Sequence, residues 1–218
     1  MQNLKKYFLG LVMASPLIVI AEGLGVYVPI TLYTQSSVTL NSNASIISDR
    51  DVKADYDTSL GFGLMYDTNV GENKLFNYRL GLEYIKVGID SIQGNTSSTS
   101  NSRFDIVNTL GFGVVRTENI RFWIGPRINI AYNGSIGGAG TSSSAWEVGL
   151  APAVGINVEL THEMVFGLDF DYRTALVSGT YDDTDAGGSL YGDIEGVTTR
   201  MYLIYMFGET FPKPMLRE

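Results

Sequence analysis

The sequence predicts an all-β fold: an eight-stranded antiparallel up-and-down transmembrane β-barrel. Three observations predict it. Eight stretches alternate apolar and polar side chains with period two. The connections between them alternate in length, so that every long one leaves from the same end. One face of the stretches gathers aliphatic and aromatic side chains, and the other gathers charge and glycine.

Residues 1–21 come first. Lys5 and Lys6 precede the apolar run YFLGLVMASPLIVIA, which ends in Val19-Ile20-Ala21 with small residues where a secretory signal is cleaved. A transmembrane anchor is the rival reading, but Gly10, Ser15 and Pro16 interrupt the run and it is short for a stop-transfer helix. Residues 1–21 are therefore expected to be a signal peptide. Nothing after Ala21 is apolar for long enough to span a bilayer as a helix.

The predicted strands are residues 24–34, 55–67, 76–90, 103–116, 120–133, 145–160, 164–177 and 197–207. Between them, 35–54, 91–102, 134–144 and 178–196 read as long loops rich in Ser, Thr, Asn and Gly, whereas 117–119 and 161–163 are tight turns. A soluble sandwich has no reason to sort its connections by end. A membrane barrel has short periplasmic turns and longer extracellular loops. No linker divides the chain, so residues 22–208 are expected to form one barrel domain, followed by a short periplasmic tail, 209–218.

One face reads Leu60, Phe62, Leu64, Tyr66, then Phe76, Tyr78, Leu80, Leu82, Tyr84, with equivalent sets from Ile120 to Tyr132 and Phe166 to Tyr172. These are expected to meet lipid. The opposite face carries Arg79, Glu83, Arg121, Arg127, Glu147, Glu159, Asp169, Asp171, Arg173 and Arg200, five charges of each sign, together with Gly61, Gly63, Gly111, Gly155 and Gly167 among others. An eight-stranded interior is just wide enough for packed side chains, so glycine on one strand leaves room for a long side chain from another. These ten residues are expected to form a neutral charge network in the lumen, because unpaired charge there is costly. A soluble ligand-binding barrel would instead need its aromatics inside.

At this point the chain resembles the small outer-membrane β-barrel proteins of Gram-negative bacteria typified by the OmpA membrane domain and OmpX. The resemblance covers residues 22–207 and rests on architecture. The last strand, RMYLIYMF, looks like the barrel-assembly signal of that group, with Arg200 first and aromatics at Tyr205 and Phe207. Tyr202 stands where that signal usually has Gly, and the chain continues through GETFPKPMLRE, a tail too short for a peptidoglycan-binding domain. The resemblance implies residence in the cell outer membrane, insertion by the barrel-assembly machinery and contact with outer-membrane lipid and lipopolysaccharide. It also implies a monomer.

Function classes narrow accordingly. The net charge of −8, without a basic cluster, argues against nucleic acid. With no Cys and a single His, His162 in a tight turn, neither a thiolate or imidazole metal site nor a nucleophile–His site is expected, and no cofactor is implied. In the last loop, Asp182, Asp183, Asp185, Asp193 and Glu195 faintly resemble a calcium loop, but Ile194 stands where the closing Glu is needed. Loose divalent-cation bridging to lipopolysaccharide is the weaker alternative to a solvated loop. The expected function is non-enzymatic: four loops exposed for adhesion, lipopolysaccharide or host contact, with a role in envelope integrity. The alternative is a narrow transport barrel for small or apolar molecules, against which the charged lumen speaks.

Overall fold

The computed structural model describes residues 22–42, 50–68, 75–92, 95–136, 143–182 and 188–207. Residues 1–21, which the sequence reading takes as a signal peptide, residues 208–218 and residues 183–187 of the last connection lie outside them. The described residues form nine strands: β1 (Glu22–Ser42), β2 (Arg50–Tyr56), β3 (Ser59–Thr68), β4 (Phe76–Ile92), β5 (Asn95–Arg116), β6 (Ile120–Ile136), β7 (Ser143–Thr161), β8 (Met164–Asp182) and β9 (Gly188–Phe207). Every pairing is antiparallel, and β1 pairs with β9 from Glu22 opposite Phe207 to Ser42 opposite Gly188, which closes the wall and leaves no edge.

The wall has eight positions, because β2 and β3 share one. Both lie between β1 and β4, and they are separated by Asp57 and Thr58, where the Asp57 amide donates to the Gly88 carbonyl at 3.1 Å. Strand register also gives the tilt. Starting at Tyr205 and stepping through Leu24, Tyr66, Leu80, Asn108, Ile128 and Leu150 leads to Thr174, the residue after the Arg173 that faces Gly196. The circuit thus closes about ten residues from its start, a stagger that obliges the strands to lean.

The short turns fall where the alternation breaks. Thr117 and Ile120 exchange bonds across 117–119, with the Thr117 amide donating to the Ile120 carbonyl at 2.8 Å, and Thr161 Oγ1 accepts from the Glu163 amide at 3.2 Å. At the opposite end the strands run further than predicted. They take up much of 35–54, 91–102, 134–144 and 178–196, which composition had marked as loop. Ser, Thr and Asn in these stretches are paired in register with a neighbour, as in Gly88 opposite Ser100 or Ser36 opposite Ala54, so partner strands override a composition that favours turns when read alone.

Burial alternates as the two-face reading requires. Leu24, Leu60, Phe62, Ile128, Phe166 and Leu203 face outward in an exposed apolar surface, while their neighbours are buried inside. Near the long-connection end an aromatic row crosses five strands in register: Phe62 opposite Tyr84, Tyr84 opposite Phe104, Phe104 opposite Tyr132, and Tyr132 opposite Trp146. Phe76, Phe122, Phe166, Tyr205 and Phe207 are exposed toward the turn end, so the apolar surface has an aromatic border at both heights.

Three prolines interrupt the ladders, Pro126 and Pro152 facing outward and Pro29 inward. Pro126 faces Pro152 directly across β6 and β7. Opposite Pro126 the β5–β6 pairing lapses between Thr109/Arg127 and Phe112/Ile124, and opposite Pro152 the β7–β8 pairing lapses between Leu150/Thr174 and Ala153/Asp171. Pro29 does the same between β1 and β3. Each lacks the N–H its neighbouring strand would accept.

Candidate functional site

Period two turns Asp169 and Asp171 of β8 into the barrel together with Arg200 of β9, which lies opposite Asp169. These three residues are the middle of a network. Arg127 donates through Nη1 and Nη2 to Asp169 Oδ1 and Oδ2 at 2.9 and 3.0 Å, also bonds Asp171, and sends Nε to Thr109 Oγ1 at 2.7 Å. Arg200 bonds Glu83 and Asp171 and stands 3.6 Å from Asp169. Arg79 links Asp169, at 3.1 Å, to Asp67, at 2.7 Å from its Nε. Asn77 completes this group by donating to Asp67 at 2.8 Å.

Nearer the long-connection end lies a second group. Arg103 donates to Asp105 at 2.8 Å and reaches both oxygens of Glu147 at 3.3 Å, while Arg173 donates to Asp105 at 2.7 Å. Counted over the described residues, the buried charges are Arg79, Arg103, Arg121, Arg127, Arg173 and Arg200 against Asp67, Glu83, Asp105, Glu147, Asp169 and Asp171, so the interior is neutral. Arginine suits this task because its planar fork bonds two carboxylate oxygens at once and stays charged.

Aromatic rings fill what the charges leave. Tyr27 lies over Gly63, Trp123 over Gly155 and Tyr202 over Gly167, where added β-carbons would come within 2.2, 2.6 and 1.9 Å of the rings. Only glycine admits a ring that close. Arg79 stacks on Tyr202, 4.2 Å from its centroid, which gives that buried cation an electron-rich face as well as two carboxylates. Each of these buried carboxylates is bonded by at least one guanidinium, which makes it a fixed counter-ion.

Of the ten residues singled out in the sequence, Arg79, Glu83, Arg127, Asp169, Asp171 and Arg200 meet in the first group, and Glu147 and Arg173 in the second. Arg121 is buried but joins neither. Glu159 does not enter the lumen network: it is partly exposed at the turn end, its Oε1 is 3.4 Å from Nδ1 of the exposed His162, and the strand runs out there before the interior closes. Arg200 of the terminal segment points inward, while Tyr205 and Phe207 point outward. The sequence reading missed Asp67, Arg103 and Asp105, although parity with Gly63 and Gly111 on their own strands puts all three inside. It also missed Tyr27, Trp123 and Tyr202 as interior residues, since an aromatic in such a strand is as easily read toward lipid.

No family profile matches the chain, and no curated protein does. Among solved structures, the outer membrane protein OprG from Pseudomonas aeruginosa superposes with a TM-score of 0.65 at 13% identity, over 87% of this chain and 96% of that one. The fold is that of a small outer-membrane β-barrel. With the apolar surface and its two aromatic borders, it places the chain in the outer membrane. Neisserial surface protein A matches at a TM-score of 0.41 and 13% identity, over 84% of this chain and 98% of that one. Ail, the attachment invasion locus protein of Yersinia pestis, matches at 0.39 and 12%, over 84% and 98%. Both scores are too low to add to the fold assignment.

Proposed function

We propose that the chain is a non-enzymatic outer-membrane barrel with a sealed polar lumen, serving envelope integrity and surface contact through the ends of its four long hairpins. One observation carries the reading. Across the lumen, arginines and carboxylates bonded to one another share the cross-section with Tyr27, Trp123 and Tyr202, each ring seated on a glycine, and all of these side chains are buried. An interior given over to mutual bonding has little left with which to select or pass a solute. Recognition then falls to the hairpin ends, where lipopolysaccharide, a host surface or another cell is met.

The test is single-channel recording of the purified barrel in planar bilayers, paired with capture of surface ligands on intact cells bearing a tagged chain. A flat current trace at physiological salt, with capture that depends on residues 183–187, is the expected result. Stable conductance steps would replace this reading with the transport barrel.

A further inference from the structure

We propose that the turn end of the lumen holds one small inorganic anion, of halide size, between Arg121 and Asn157. The inference is independent of what the hairpin ends bind.

Arg121 and Asn157 face each other directly across β6 and β7, and both are buried. Arg121 is the one buried arginine that makes no ion pair among the described residues. Its Nη2 is turned toward two backbone carbonyls, those of Leu75 and Gly111, at 3.5 Å each, and its Nε and Nη1 have no partner. The Asn157 amide is oriented by its neighbours. Trp123 Nε1 can only donate, and it donates to Asn157 Oδ1 at 3.3 Å, which also accepts from the Tyr202 hydroxyl at 2.6 Å. With the oxygen thus fixed, Asn157 Nδ2 is left as a third buried donor without a partner.

Two opposed residues therefore bring three unused N–H-bearing atoms to the turn end, together with a guanidinium that pairs with no carboxylate among the described residues and whose two backbone acceptors engage Nη2 alone. A guanidinium offers donors only, so nothing within the pair can satisfy it. Asp67, an interior carboxylate at this end of the lumen, is already bonded by Arg79 and Asn77. A water oxygen would accept the hydrogen bonds but leave the charge, which is the larger cost in a low-dielectric interior. A halide answers both, since it accepts from every N–H and carries the opposite charge. Arg121 is the second residue of β6, beside the 117–119 turn, so the ion has only the turn end to traverse.

Trp123 is the reporter. The chain has two tryptophans, and Trp146 faces outward, so Trp146→Phe leaves Trp123, whose indole shares the Asn157 amide with the site, as the sole emitter. Iodide titrated into the detergent-solubilised protein at constant ionic strength should quench Trp123 in a saturable phase that chloride reverses and the larger sulfate does not. Asn157→Asp retains the acceptor for Trp123 and Tyr202 while placing a carboxylate opposite Arg121. It should raise the iodide needed at least about tenfold, as the built-in anion takes the charge-assisted bonds. Arg121→Gln should do the same, and migration before and after boiling verifies that each variant has closed. Quenching with no saturable phase, or a phase unchanged in Asn157→Asp, would mean a water sits there instead and would overturn the proposal.

Discussion

The ring of Tyr202 occupies the space above Gly167 on the neighbouring strand, leaving only 1.9 Å to a β-carbon placed there, and its hydroxyl passes on to Asn157 at 2.6 Å. The glycine and the tyrosine are one packing unit. Gly167→Ala should therefore cost about 1–3 kcal/mol, by forcing the ring off its rotamer. Gly167→Ala combined with Tyr202→Ala should cost less than the sum of the two single changes. Urea unfolding midpoints followed by tryptophan emission would check both. Additive costs would show that the two residues do not meet.

Leu168 and Asp169 test the assignment of faces. Leu168→Arg puts a cation on the lipid side and should cost roughly 2–4 kcal/mol if it lies near the bilayer midplane. Asp169 bonds Arg79 and Arg127 and neighbours Arg200. Asp169→Asn strips a counter-ion from buried guanidinium groups and should cost about 3–5 kcal/mol. The two variants are then comparably damaging, through opposite faces. Heat-modifiable migration and unfolding in detergent are the measurements, and a harmless Asp169→Asn would place that residue outside the network.

The facing prolines predict a local weakness. Because Pro126 and Pro152 withhold amide donors from β5 and β8, backbone amides around Leu110 and Tyr172 should exchange with deuterium faster than those around Phe104 and Phe166. Replacing both prolines with valine should slow that exchange and stabilise the barrel by about 1 kcal/mol for each hydrogen bond regained. Uniform exchange along β5 and β8 in the native chain would remove the basis for this.

Hairpin replacement separates wall from tip. A Gly-Ser linker in place of residues 183–187 should leave assembly and heat-modifiable migration intact, since loop length enters closure entropy only slowly. Replacing residues 180–195 should not be tolerated as well, because it removes the end of β8, the first part of β9 and Glu195, to which the Tyr172 hydroxyl donates at 2.9 Å. Equal behaviour of the two variants would mean that the extended part of these strands contributes nothing.

Trypsin applied to intact cells tests orientation. Arg79 and Arg127 lie in the buried network and should be spared. Lys213 and Arg217 of the tail should be cut only after the outer membrane is opened. Arg50 and Lys53 are paired with Leu40 and Ser37 in the wall, so cleavage there should be slow compared with an unpaired loop. Tail cleavage in intact cells would invert the topology.

The alternation of LGFG at Leu60–Gly63, or of Asp169 and Asp171 between Leu168 and Phe170, was enough to place strands and faces, because each strand meets two unlike solvents. The upper ends were not legible: Ser and Thr in 95–102 are paired by β4, and nothing in their own composition says so. Nor could the sequence tell an aromatic that lies on a glycine from one that meets lipid. Tyr202 and Gly167 are separated by 35 positions, and only the register of β8 against β9 joins them. Pairings such as Arg127 with Asp169 depend on the stagger of the whole closed wall, which no single strand encodes.

That the strands outrun the lipid has a consequence for reach. β1 has 21 residues; at about 3.3 Å each and a lean of about 40°, it climbs roughly 53 Å, about twice the height of a typical apolar belt. A stiff, hydrogen-bonded stem carries the hairpin tips away from the bilayer instead of leaving them as tethers at its surface. Whether a neighbour can be touched becomes a matter of relative stature. Sugar chains shorter than the stem would leave the tips standing clear, and a coat grown longer would overtop them without altering a single side chain.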